Sequence, residues 1–151
     1  EGLNVSEFSA KGYRKALKKY DYPINENLII RQNDETNLKE RIVKMLETNK
    51  VDGVFTVDEI SGAITIQALG AKNMKIPEEV SIIGFTNGML SRYSTPPLTS
   101  VNRFAYTTGE IAATRLIDKI EEKIEFEDIK TEIIKTKLVE RDSTKKLFIK
   151  F

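Results

Sequence analysis

The apolar run Val80-Ser81-Ile82-Ile83-Gly84-Phe85, set between Pro77 and the pair Pro96-Pro97, constrains this chain most. A proline pushes its predecessor out of the helical region, so Ile76-Pro77 closes whatever helix precedes it. The run itself is too short for a helix and apolar on both alternating faces. That is the pattern of a strand buried on both sides of a parallel sheet. Polar Thr86 and Asn87 follow at its carboxyl end, where open α/β sheets bind ligands. Beyond them, Pro96-Pro97-Leu98-Thr99-Ser100 reads as a stiff extended passage out of the sheet.

The rest of the chain alternates around this strand. Phe8, Gly12, Tyr13, Ala16 and Leu17 recur at helical spacing, and Pro23 ends that helix. Leu28-Ile29-Ile30 predicts a short strand, followed by the polar loop Gln32-Asn33-Asp34. Leu38, Ile42, Val43 and Leu46 predict a second helix, entered through Asp34 or Thr36 as cap and ending near Asn49. Val51 to Val57 predicts the next buried strand, with Asp58 as N-cap of a third helix over 59–72. Ile60, Ala63, Ile64, Ala68 and Ala71 form one apolar stripe on it, and Gly62, Ile66 and Leu69 fall almost opposite. Such a helix either sits in a crowded core or packs on a partner. After Val101, the residues Tyr106, Gly109, Ala112, Ala113, Leu116, Ile117 and Ile120 predict a long amphipathic helix. Ile134, Thr136 and Leu138 alternate as an edge strand, and Leu147, Phe148, Ile149 and Phe151 form an apolar tail suited to a sheet. The order predicts an α/β fold, a Rossmann-like parallel sheet with helices on both faces.

Composition narrows the chemistry. The chain has 151 residues, 40% of them hydrophobic, enough for a real core, and it contains neither cysteine nor histidine. Disulfides, thiolate nucleophiles, the usual zinc sites and the commonest general base are thereby excluded. Lys and Arg number 24 against 23 Asp and Glu, a net charge of +1. No global field favours nucleic acid. No apolar run approaches the roughly 18 residues of a membrane span.

Ile76-Pro77-Glu78-Glu79-Val80-Ser81-Ile82-Ile83-Gly84-Phe85, then Tyr93-Ser94-Thr95-Pro96-Pro97-Leu98-Thr99-Ser100-Val101, resembles the effector-binding domain of lactose-repressor/galactose-repressor family transcription regulators. The resemblance runs from Phe8-Ser9-Ala10-Lys11-Gly12-Tyr13 through Val57-Asp58-Glu59-Ile60 to Leu138-Val139-Glu140-Arg141-Asp142-Ser143-Thr144. It implies a periplasmic-binding-protein-like fold of type I, with two lobes joined by chain crossings and a small effector in the cleft. Residues 1–98 and 133–151 would then be the C-terminal lobe, and 99–132 a segment of the N-terminal lobe. The body of that lobe and a helix-turn-helix domain would lie upstream of Glu1.

Carried across position by position, the resemblance makes Ser9, Glu35, Val57, Asp58, Thr86 and Asn87 the effector-binding candidates. Sugar- and purine-responsive members usually have arginine where this chain has Ser9, a stacking aromatic at Glu35 and an acidic residue at Thr86. Val57 stands where sugar-responsive members often have asparagine. Serine and threonine make weaker, less selective bonds than charged partners. Asp58 matches the family but is better explained as a helix cap, while Glu35 is equally explained as an exposed loop residue and Thr86-Asn87 as turn formers. Gly62, Ile66, Leu69, Leu90 and Tyr93 are the dimer-interface candidates, because the family dimerises through this region.

The function expected is the sensor part of a cytoplasmic bacterial regulator, a homodimer that binds a small molecule, a saccharide by resemblance. It would reach operator DNA through the helix-turn-helix domain and use no cofactor, metal or membrane. A solute-binding protein for sugar uptake shares the fold. An enzyme is not expected, since no nucleophile–base pair, phosphate loop or metal-ligand cluster is present.

Overall fold

The computed structural model describes residues 5–31, 37–123 and 131–146. Its helices follow the apolar periods: α1 Val5–Lys19, α2 Leu38–Thr48, α3 Glu59–Ala71, α4 Met89–Tyr93 and α5 Ala105–Ile120. The strands are β1 Gly53–Thr56, β2 Ser81–Gly84, β3 Thr99–Asn102 and β4 Lys137–Val139. They form a sheet in the order β1-β2-β3-β4, the first three parallel and β4 antiparallel to β3. This is the expected α/β architecture, a mainly parallel sheet flanked by helices.

Local chemistry sets the ends of α3. Asp58 accepts the Ser61 backbone N–H at 2.8 Å, satisfying one of the orphan donors of the first turn. At the far end Asn73 takes a left-handed φ of 53°. Asn73 N–H then reaches the Gly70 carbonyl and Met74 N–H the Leu69 carbonyl, both at 3.0 Å. That is a Schellman closure, completed by Met74 packing on the core cluster that contains Leu69. The helix thus stops before Ile76-Pro77 is reached.

The core lies between α3 and the sheet: Leu69, Val80, Ile82 and Leu98, with Leu46, Val54, Ile66, Met74 and Ile76 around it. Close approach requires Gly84, where a Cβ would stand 2.8 Å from the Leu98 side chain. The stripe Gly62, Ile66, Leu69 is therefore the side of α3 turned to its own core, with Leu69 at 0% exposure. This corrects the expectation that these residues meet a partner: Gly62 and Leu69 are buried and Ile66 half-buried within one chain.

Three further expectations are revised. Leu28–Ile30 is not a strand; Leu28 closes a 3-10 turn, Glu26–Leu28. Asn25 caps that turn by accepting Asn27 N–H, and Arg14 grips Glu26 with two bonds of 2.8 and 2.7 Å. These local bonds outweigh β propensity. Thr99–Asn102 does not leave the sheet but pairs with β2 as β3. Met89–Tyr93 forms the short α4, packed on α3. The N-cap of α2 is Asn37 rather than Asp34 or Thr36. Glu35, the loop around it and the apolar tail from Leu147 lie outside the described residues.

The join between β2 and β3 depends on a distant segment. Their direct register covers Ile83↔Thr99 and Gly84↔Ser100. One step earlier, Ser143 is inserted: its carbonyl accepts Ile82 N–H at 2.8 Å, and its hydroxyl donates to the Ile82 carbonyl at 2.6 Å. The same hydroxyl accepts Thr99 N–H at 2.8 Å. Ser143 is fully buried.

Candidate functional site

Parallel strands deliver their carboxyl ends to one edge, which here carries Val57 and Asp58 after β1, Phe85 to Asn87 after β2, and Arg103 after β3. Asn102 turns the chain at this edge by accepting Phe104 N–H at 2.9 Å, with Phe104 in a left-handed conformation that opens α5. Phe55 and Phe85 meet edge to face, their ring centroids 6.2 Å apart. The Arg103 guanidinium lies 5.4 Å above the Phe85 ring and donates to Thr86 Oγ1 at 3.3 Å. Stacking of this kind holds a guanidinium flat while leaving its edge open to a ligand.

Asn87 is fixed from behind. The Arg141 guanidinium donates to the Leu98 carbonyl at 2.7 Å, to Ser100 Oγ at 2.9 Å and to Asn87 Oδ1. Ser100 Oγ also points to Asn87 Oδ1, at 3.4 Å. The amide oxygen of Asn87 is thereby engaged, and its NH2 group is turned away from Arg141. Thr86 is held through its carbonyl, which accepts the Ser91 hydroxyl at 2.7 Å. Glu59 accepts Ser91 N–H at 3.1 Å and fills the space beside Gly88, where a Cβ would run into its carboxylate.

The remaining candidates gather elsewhere. Ser9, Val57 and Asp58 line a cavity of about 790 Å³ between α1, the segment 28–31, α2 and β1, together with Tyr13, Arg14 and Phe55. Thr86 and Asn87 are not in its lining. At its rim the Arg14–Glu26 hydrogen bonds raise the pKa of Arg14 and hold Glu26 below the usual carboxylate range. Asp58 serves as the α3 cap and also borders the cavity. Among the dimer candidates, Leu90 and Tyr93 are exposed, Tyr93 at 79%, beside exposed Met89 and Ile60.

Arg103 and Arg141 were not singled out from sequence. A signal for Arg103 existed: it stands two residues after Val101, as Phe85 stands two after Ile83, so period-two alternation puts both on one face. Using it requires knowing that β3 is a strand.

The profile of the periplasmic binding protein-like domain matches residues 4–144. The chain belongs to that family. Within it, the chain is 36% identical over 92 residues to the HTH-type transcriptional regulator DegA of Bacillus subtilis (strain 168), covering 60% of this chain and 27% of that protein. It is 32% identical over 144 residues to the HTH-type transcriptional repressor PurR of Vibrio atlanticus (strain LGP32), covering 90% of this chain and 41% of that protein. The solved complex of the transcriptional regulator CelR with cellobiose superposes with a TM-score of 0.76 at 26% identity, over 89% of this chain and 41% of that one. The resemblance to lactose-repressor/galactose-repressor regulators is borne out. The chain thus spans less than half the length of these family members, and they are transcription regulators.

Proposed function

We propose that this chain is the ligand-sensing part of a bacterial transcription regulator that works in the cytoplasm. It binds a small molecule at the carboxyl edge of the sheet and biases a dimer between DNA-competent and released states. The observation that carries the reading is the preset cluster at that edge, Asn87 held by Arg141 and Thr86 bonded to Arg103, in a chain whose relatives are helix-turn-helix regulators. Saccharides are the first ligands to try, in view of the cellobiose complex of its structural relative. Uptake of solutes is not favoured, because the relatives are regulators, and catalysis is not part of the proposal.

The cleft would be completed by a second lobe, to which α5 belongs. No residue of α5 is buried, and Leu116 and Ile120 are 61% and 71% exposed. An apolar helix face of this size calls for a cover. Dimerisation would use the exposed side chains of Met89, Leu90 and Tyr93, with the same patch serving both subunits. Operator DNA would be reached through a separate helix-turn-helix domain.

The test is a thermal-shift titration of the chain with a saccharide panel including cellobiose, followed by operator gel shifts with the complete gene product. A ligand at about 100 times its Kd stabilises a protein by about 2.7 kcal/mol, a readily seen shift. Release or recruitment of operator DNA by the same ligand supports the proposal. A complete product that ignores DNA in all conditions overturns it.

A further inference from the structure

We infer that the cluster Arg103, Thr86 and Asn87 takes an oxyanion, so that the effector carries a carboxylate or phosphate group. This deepens the ligand-sensing proposal and rests on it for the biological setting. The groups left open at the sheet edge are donors. Arg103 is exposed, and its guanidinium is bonded through Nη2 to Thr86 Oγ1 while its central carbon lies 5.4 Å from the Phe85 ring centroid. Among the described residues, no carboxylate forms an ion pair with it. Asn87 contributes its NH2, because Arg141 and Ser100 both occupy its oxygen.

The side-chain acceptors nearby each hold one partner already. Thr86 Oγ1 donates to the Phe85 carbonyl and accepts from Arg103. Of the two acidic side chains at this edge, Asp58 accepts Ser61 N–H and Glu59 accepts Ser91 N–H. A neutral sugar hydroxyl both donates and accepts, and the unengaged groups of Arg103 and Asn87 serve only its acceptor side. A carboxylate or phosphate accepts only, and the Arg103 guanidinium matches it with charge-assisted bonds, the NH2 of Asn87, the residue after Thr86, being a further donor at this edge.

The experiment titrates the 151-residue chain with inorganic phosphate and, separately, with acetate, at ionic strength held constant with chloride. Binding is followed by amide chemical shifts in 15N-labelled protein. Saturable shifts centred on Thr86 and Asn87 are expected, with phosphate and acetate responses telling which oxyanion is preferred. Arg103→Gln should weaken the better anion on the order of tenfold, about 1.4 kcal/mol. The control Arg115→Gln, an exposed arginine paired with Glu132 instead, should leave it unchanged. Failure of both anions to saturate, or undiminished binding by Arg103→Gln, overturns the inference. A cellobiose titration separates the two levels: cellobiose binding that survives Arg103→Gln keeps the sensor reading and removes the anionic effector.

Discussion

Ser143→Ala tests how the sheet is joined. The Ser143 hydroxyl is fully buried, donates to the Ile82 carbonyl and accepts Thr99 N–H. Alanine keeps the backbone bond from Ile82 N–H to the Ser143 carbonyl but strands one acceptor and one donor. Each stranded buried group costs about 1–3 kcal/mol. The two share one removed atom and one local relaxation, so a loss of about 3 kcal/mol is expected rather than the full sum. For a domain of this size that lowers Tm by roughly 6–12 °C, at about 2–4 °C per kcal/mol. Urea unfolding followed by circular dichroism should show a lower midpoint with an unchanged m-value, because the surface exposed on unfolding is the same. Ser81→Ala is the control: Ser81 Oγ accepts only a long 3.4 Å bond from Lys145 N–H at an exposed site. It should stay within about 0.5 kcal/mol of the parent. A Ser143→Ala loss below about 1 kcal/mol would refute the reasoning, since it would mean that Ile82 and Thr99 pair directly with each other or with water.

The burial of α3 and the Arg14–Glu26 pair give two more tests. Leu69→Ala should cost about 2–5 kcal/mol, as a core truncation does, and Leu69→Glu should unfold the chain by circular dichroism, whereas Tyr93→Glu should keep the fold. A folded Leu69→Glu protein that merely changes its sedimentation would return Leu69 to an interface. The Glu26 carboxylate has a lowered folded-state pKa, through its hydrogen bond from Arg14, so its contribution is present above the unfolded carboxylate pKa and fades as pH falls through the folded one. Comparing the parent with Glu26→Gln across acid pH at low salt should therefore show converging Tm values towards the acid end; parallel curves count against the pair. The pair is exposed, so the difference should be small and should shrink with added salt.

The elements that sequence could disclose were those whose cause is local. α3 was legible because Asp58 caps it and an apolar period runs through it, and β1 and β2 because short apolar runs end in turn residues. Leu28–Ile30 misled because Asn25 and Glu26, just before it, close a 3-10 turn that hydrophobicity does not register. The side of α3 that faces the core was misassigned for a similar reason. Its two stripes are equally apolar, and only the bulk of Leu98 against Gly62 and Gly84 selects one. β3 was obscured by Pro96-Pro97, since a proline pair marks rigidity equally well at the entrance of a strand and at an exit from the sheet.

The site was less legible than the fold, and the reason is sequence distance. Thr86 and Asn87 were found because they follow an obvious strand. What gives them chemistry comes from far along the chain: Arg103 from the end of β3, and Arg141 some fifty residues further than Asn87, a separation of 54. Those contacts exist only once the return segment 141–144 has been laid against β2 and β3 by Ser143, Thr99 and Thr144. Arg141 N–H donates to Thr99 Oγ1 at 2.9 Å, so the residue that orients Asn87 is itself fastened to β3. Sheet closure and site preparation are thus one event, made by the same short segment. Substitutions that loosen this segment should degrade ligand recognition and stability together, whereas Arg103, exposed and outside the weld, should alter recognition alone.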